Sequence, residues 1–115
     1  MIKSMAFVAY SVRDLPAAKA FYRDTIGLTP SDMFGEHWAE FDVDGTTFGI
    51  GNGEPLGITP GSSFSATFEV DDINAERQRL LDLNVPVTEV HETPVCFVAF
   101  VTDPEGNKFG IHQRK

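Results

Sequence analysis

Twice along the chain a short apolar run gives way to a helical stripe and then to alternating strands. Met5 to Val12 reads as a buried strand. Leu15, Ala18, Phe21 and Tyr22 then recur at helical spacing behind Asp14, whose carboxylate suits an N-cap. Pro16 fits the first turn, because the amide it lacks would have no intrahelical partner there. Gly27 is predicted to end this helix. Leu28 to Phe34, His37 to Val43 and Thr46 to Ile50 follow as strands, with turns at Gly35-Glu36 and Asp44-Gly45. Gly51 to Ser63 is rich in glycine and proline and reads as a connector.

The second half repeats the order. Phe64 to Val70 alternates apolar and polar residues, and Asp71 or Asp72 caps a helix through Leu83. Ile73, Arg77, Leu80 and Leu81 share one helix face, where the Arg77 stem covers apolar surface. Val85 to Val90, Val95 to Thr102 and Asn107 to Gln113 supply three strands, the last two joined by the turn Asp103-Pro104-Glu105-Gly106. The two halves also share words: Asp44-Gly45-Thr46-Thr47-Phe48-Gly49-Ile50 returns as Glu105-Gly106-Asn107-Lys108-Phe109-Gly110-Ile111, about 60 residues later. The chain is therefore expected to be one α+β domain, 1–115, of tandem βαβββ modules covering approximately 1–57 and 58–115. Units this small bury little surface alone, so they should pair and place a ligand site between them.

Composition narrows the function. With 17 acidic and 9 basic residues the net charge is -8, which repels a phosphate backbone and argues against nucleic acid as a partner. The same field suits a neutral or cationic small molecule better than a polyanion, although solubility alone is the plainer explanation of the charge. No apolar run is long enough for a membrane span and no signal-peptide pattern opens the chain, so a cytoplasmic location and no membrane partner are expected. Cys96 is the only cysteine, so no internal disulfide forms.

The stretches Val12-Arg13-Asp14-Leu15, Phe21-Tyr22-Arg23-Asp24, Gly27-Leu28 and Asp103-Pro104-Glu105-Gly106-Asn107 fall in an order that resembles the vicinal oxygen chelate superfamily. That superfamily includes glyoxalase I, bleomycin resistance proteins, fosfomycin resistance enzymes and extradiol dioxygenases. The resemblance implies a curved mixed-sheet cup with helices on its outer face, and in the family's enzymes a divalent metal held by His, Glu or Gln from the first and last strands of each half. Carried over by motif, those ligand positions fall on Phe7, Gly49, Ser65 and Gly110. Phenylalanine and glycine offer no side-chain donor and a neutral serine is a poor one, so neither a metal nor another cofactor is expected.

Period-2 alternation sorts the strand faces. If Phe7, Ser65 and Gly110 face the cup, so do Ala9, Ser11, Thr67, Glu69 and His112, while Val8, Tyr10, Phe68, Phe109 and Ile111 pack toward the helices. Gly49 and Gly110 would let a ligand approach the backbone or, equally, relieve crowding where the sheet bends. His112 could hydrogen-bond a ligand, move a proton or serve structure. Trp38 and Glu40 share a strand face that would suit an aromatic or cationic ligand, although burial of the indole against a helix or a partner chain explains it as well. Cys96 could reach the cup, with buried packing as the plainer expectation.

The candidate ligand-binding set is Phe7, Trp38, Glu40, Gly49, Ser65, Thr67, Cys96, Gly110 and His112. The leading expectation is metal-independent binding or sequestration of a small aromatic or cationic molecule, similar to the bleomycin resistance proteins, by a homodimer. A lyase or isomerase using side-chain acid and base groups is one alternative; a structural or regulatory dimer with an occluded cup is another. Whether any reaction is catalysed stays open at this level.

Overall fold

A computed structural model of the chain describes residues 1, 3, 6–31, 35–56, 58–61, 64–94 and 96–115, the side chains of Leu56, Phe64 and Ser65 excepted. The first half runs β1 (Val8–Ser11), α1 (Leu15–Ala20), β2 (Thr29–Pro30), β3 (Trp38–Val43) and β4 (Thr46–Gly51). The second runs β5 (Phe64–Glu69), α2 (Ile73–Asp82), β6 (His91–Glu92), β7 (Cys96–Thr102) and β8 (Lys108–Arg114). Each half forms a four-stranded mixed sheet of the same order, β1-β4-β3-β2 and β5-β8-β7-β6. In each, the first strand lies parallel to the last and the remaining pairs are antiparallel.

The helices start where the sequence says they should. Asp14 and Asp72 accept the Ala17 and Ala75 amides at 3.1 Å, occupying an otherwise orphan donor at each N-terminus. Beyond Ala20 the first helix continues as a wider π-type turn, Phe21–Ile26, which closes at Gly27 in the left-handed region. The repeated Phe-x-Ile words have the same role twice: Phe48, Ile50, Phe109 and Ile111 are all buried in one core with Tyr10, Tyr22, Phe41, Ile73 and Leu80. In β4 and β8 the glycine between them faces the other way.

β2, β3 and β5 are shorter than the pattern predicts, whereas β4 runs one residue further, to Gly51, and β8 keeps its length one residue later. Met5, residues 32–34 and Val95, the expected start of the first strand, end of the second and start of the seventh, lie outside the described residues. Val85 to Val90 is a correction: it makes only an isolated bridge from Val87 to Val101, and the paired strand comes later, at His91–Glu92. The stretch bonds instead through Thr88, whose amide donates to the Phe100 carbonyl and whose hydroxyl accepts the Phe100 amide. Among its described residues the connector carries a short 3₁₀ turn, Glu54–Leu56.

Two tyrosines join the halves. The Tyr10 hydroxyl of β1 donates to the Lys108 carbonyl at 2.5 Å and accepts the Ala66 amide at 3.0 Å. The β5–β8 register slips between Phe64 and Thr67, so Tyr10 supplies the partners that this irregular ladder lacks. Tyr22 donates to Asp103 Oδ2 at 2.7 Å, and burial together with the Asp103 charge pushes its phenol far above the ordinary value. Asp103 Oδ1 accepts the Glu105 and Asn107 amides, while buried Asn107 donates to the Ser11 carbonyl and accepts from Gly61. Glu105 accepts the Arg13 and Asp14 amides ahead of α1.

Tyr10→Phe and Tyr22→Phe should each lower the unfolding free energy by about 1–3 kcal/mol, because each leaves a buried polar group without its partner. A lower urea midpoint with an unchanged slope is the expected result for both.

Candidate functional site

With the core on one face of each sheet, the opposite faces are left to do something else. On the first sheet the cross-strand rows on that face are Ala9, Gly49 and Glu40, then Ser11, Gly51 and Trp38. The small residues make a floor, and the Trp38 ring covers it. A Cβ placed on Gly49 would lie 2.4 Å from Trp38 Cζ2, and one on Gly51 2.5 Å from Trp38 Cε3. The indole therefore occupies the space directly above the Gly49 backbone.

Phe7 meets Trp38 edge-to-face, with ring centroids 5.5 Å apart, and stays 50% exposed. Ser11 donates to the Ile58 carbonyl and accepts the Gly53 amide, which holds the connector against this end of the sheet and leaves Ile58 47% exposed. Phe7, Ala9, Ser11, His37, Trp38 and Ile58 are among the residues around a mainly apolar pocket of about 300 Å³. Exposed His37 stands at its edge.

The second sheet presents a different surface. Its rows are Thr67, Gly110 and Phe100, then Glu69, His112, Val98 and His91. A Cβ on Gly110 would approach Thr67 Oγ1 at 3.0 Å, so here the glycine makes room for a threonine. His112 is paired: its Nδ1 lies 2.5 Å from Glu69 Oε1, and Glu69 Oε2 accepts the Arg114 amide at 2.8 Å. Glu69 and His112 pair because β5 and β8 are parallel in that register, a fact hidden from strand-by-strand reading.

Of the remaining candidates, Glu40 lies beside Gly49 on the Trp38 face and is half-buried. Thr67 is exposed on the second sheet, and the Ser65 side chain lies outside the described residues. Cys96 shares the strand face of Val98 and Phe100 but is buried, its Sγ 3.1 Å from Thr93 Oγ1. The first-sheet and second-sheet candidates thus form two groups, Phe7, Trp38, Glu40 and Gly49 in one and Thr67, Gly110 and His112 in the other.

A divalent metal does not fit this donor set. Gly49, Gly110 and Phe7 offer nothing, Glu69 is engaged by His112 and Arg114, and no group of three or more His, Cys, Asp or Glu gathers among the described residues. No described helix is long and apolar enough to cross a membrane.

The Arg114 amide, then the His112 ring, holds the Glu69 carboxyl below the usual carboxylate range. With its folded value depressed, ionised Glu69 stabilises the fold above its unfolded value of about 4.3, and the contribution fades as pH falls through the folded one. Solvent screening keeps the effect small. Glu69→Gln should therefore lower the melting temperature slightly near neutral pH and reduce its further fall below about pH 4, as followed by circular dichroism.

Sequence and structure comparisons agree with this architecture. Residues 4–111 match the family model described as Glyoxalase/Bleomycin resistance protein/Dioxygenase superfamily. The crystal structure of TnmS3, an antibiotic binding protein from Streptomyces sp. CB03234, is similar with 29% identity over 99% of this chain and 98% of that one, at a TM-score of 0.84. A glyoxalase/bleomycin resistance protein from the same organism is 31% identical over 96% of this chain and 100% of its own, at a TM-score of 0.80. Lactoylglutathione lyase from Agrobacterium tumefaciens shares the fold at a TM-score of 0.82, with 21% identity over 97% of this chain and 94% of that one. The chain belongs to the glyoxalase/bleomycin resistance protein/dioxygenase superfamily.

Proposed function

We propose that the protein binds and sequesters a small aromatic or cationic molecule without using a metal. The observation that carries this reading is the half-buried indole of Trp38, laid over a floor of small residues at the wall of an apolar pocket. Two of the large hydrophobic residues exposed in the described structure, Phe7 and Ile58, stand at that pocket. A guest there would cover apolar surface that otherwise faces water. Glu40, two residues further along the same β3 face and outside the pocket lining, offers an acceptor to a cationic or N–H-bearing group that extends beyond the pocket. The similarity to an antibiotic binding protein and to a glyoxalase/bleomycin resistance protein supports binding as the activity.

A pocket of about 300 Å³ is at the small end for ligand sites and lies open on one sheet face. The second part of the proposal is a homodimer in which another copy closes each site, bringing the Glu69 and His112 face opposite the Trp38 face. The pocket of the single chain favours a ligand over a purely structural centre.

One observation favours a second reading. The short contact between Glu69 and His112 orients an imidazole on an open sheet face, where it could move a proton for a lyase or isomerase. Turnover that disappears in His112→Gln, while the melting temperature and guest affinity stay unchanged, would select this reading over sequestration.

A melting screen against flat aromatic cations should find compounds that stabilise the protein, and Trp38→Ala should weaken the best of them at least tenfold by calorimetry. Light scattering should give twice the chain mass. Stoichiometric Zn, Ni, Mn or Fe in protein purified without chelator, with activity that depends on it, would overturn the metal-free assignment.

A further inference from the structure

Gly49 and Gly51 are glycines for a reason that their backbone does not supply. The described glycines with a positive φ are Gly27, Gly45, Gly61 and Gly106, all outside the strands. Gly49 and Gly51 sit in the regular β4 ladder, in register with Ala9 and Ser11 on one side and with Glu40 and Trp38 on the other. Any residue can adopt that conformation, and glycine weakens a strand.

The indole accounts for both. Above Gly49 a Cβ would meet Cζ2, Cη2 and Cε2 of Trp38 at 2.4, 2.7 and 3.2 Å, and these are its three nearest neighbours. Above Gly51 it would meet Cε3 at 2.5 Å and Cζ3 at 3.2 Å, with the His37 carbonyl also at 3.2 Å. Carbon atoms settle at about 3.5–4.0 Å, so a single methyl group at either position excludes the ring from where it lies. The six-membered ring reaches two successive residues of one strand face, so it extends along β4. Gly110 shows the contrast: a Cβ there would meet the tip of Thr67 and no ring.

We propose that Gly49 and Gly51 are positioning residues that seat Trp38 flat against β4, and that this seat fixes the guest of the pocket as a planar ring stacked on the indole's outer face. The second clause rests on the small-molecule reading above; the first does not. With a side chain at position 49 the ring must rise from the strand into the space beside Phe7 and Ile58, which removes the shelf and fills the pocket at once. Branched aliphatic guests gain little from a flat shelf, whereas a fused aromatic ring gains face-to-face contact over its whole area.

Trp38 is the only tryptophan, so its emission reports the seat directly. Gly49→Ala is expected to shift that emission to the red, raise acrylamide quenching and lower the melting temperature by about 5 °C or more. In a Trp38→Ala background the same Gly49→Ala change should cost nothing in melting temperature, since the ring it strikes is gone. Proflavine, a flat aromatic cation, should bind the wild-type protein and lose at least tenfold in affinity in Gly49→Ala, while tetrabutylammonium should bind neither. Unchanged emission in Gly49→Ala, or an equal loss of stability in both backgrounds, would overturn the seat whatever the protein binds. If the coupling holds but proflavine does not bind, the seat stands and the planar-guest clause fails with the binding reading. Tetrabutylammonium binding as tight as proflavine's would reject the planar-guest clause alone.

Discussion

The relation between the two halves depends on a phenol oxygen. Tyr10 leaves the first sheet and places its hydroxyl between the Ala66 amide and the Lys108 carbonyl, two groups that belong to the β5–β8 ladder of the second. A buried ladder with a slipped register leaves a donor and an acceptor apart, and both need satisfaction. Because the missing partner comes from the other half, the second sheet is not complete by itself. Tyr22 and Asp103 repeat this arrangement a short way off, with the turn before β8 reaching α1, the end of β1 and the connector through one aspartate and one asparagine.

That joint frees the other sheet faces. Phe68 meets Phe48 and Phe109 edge-on, Tyr10 meets Phe48 edge-on and Tyr22 lies tilted against Phe109, so the two halves share one aromatic core on one side of each sheet. Side chains on the far side are released from core packing and can vary in kind. The first sheet uses its freedom for an aromatic wall over a floor of small residues. The second uses it for a carboxylate and an imidazole in one cross-strand row.

Periodicity and capping made much of the scaffold legible in advance. Asp14 and Asp72 cap as read, Gly27 takes the left-handed conformation, and the alternation in β1, β5 and β8 sorts core from open face correctly at Tyr10, Phe109, Ile111, Thr67 and His112. Each of these depends on residues near in sequence. What stayed hidden depends on register between strands: Glu69 beside His112, Trp38 across Gly49 and Gly51, and the Tyr10 hydroxyl inside a foreign ladder. Val85 to Val90 misled for a related reason, since valines there gave the look of a strand while Thr88 bonds the chain to Phe100 as a loop. A pattern of residue types identifies a face; only pairing says who sits across from whom.

The two glycines of the repeated word are flanked by the same core residues and yet serve unlike neighbours, an aromatic ring at Gly49 and a hydroxyl-bearing side chain at Gly110. The two halves therefore share the word while its middle letter differs in meaning. The flanking phenylalanine and isoleucine answer to the core, whereas the glycine between them answers only to whatever crosses the open face. A chain built this way can exchange one recognition surface for another by changing a residue on the neighbouring strand, with the hydrophobic interior left as it was.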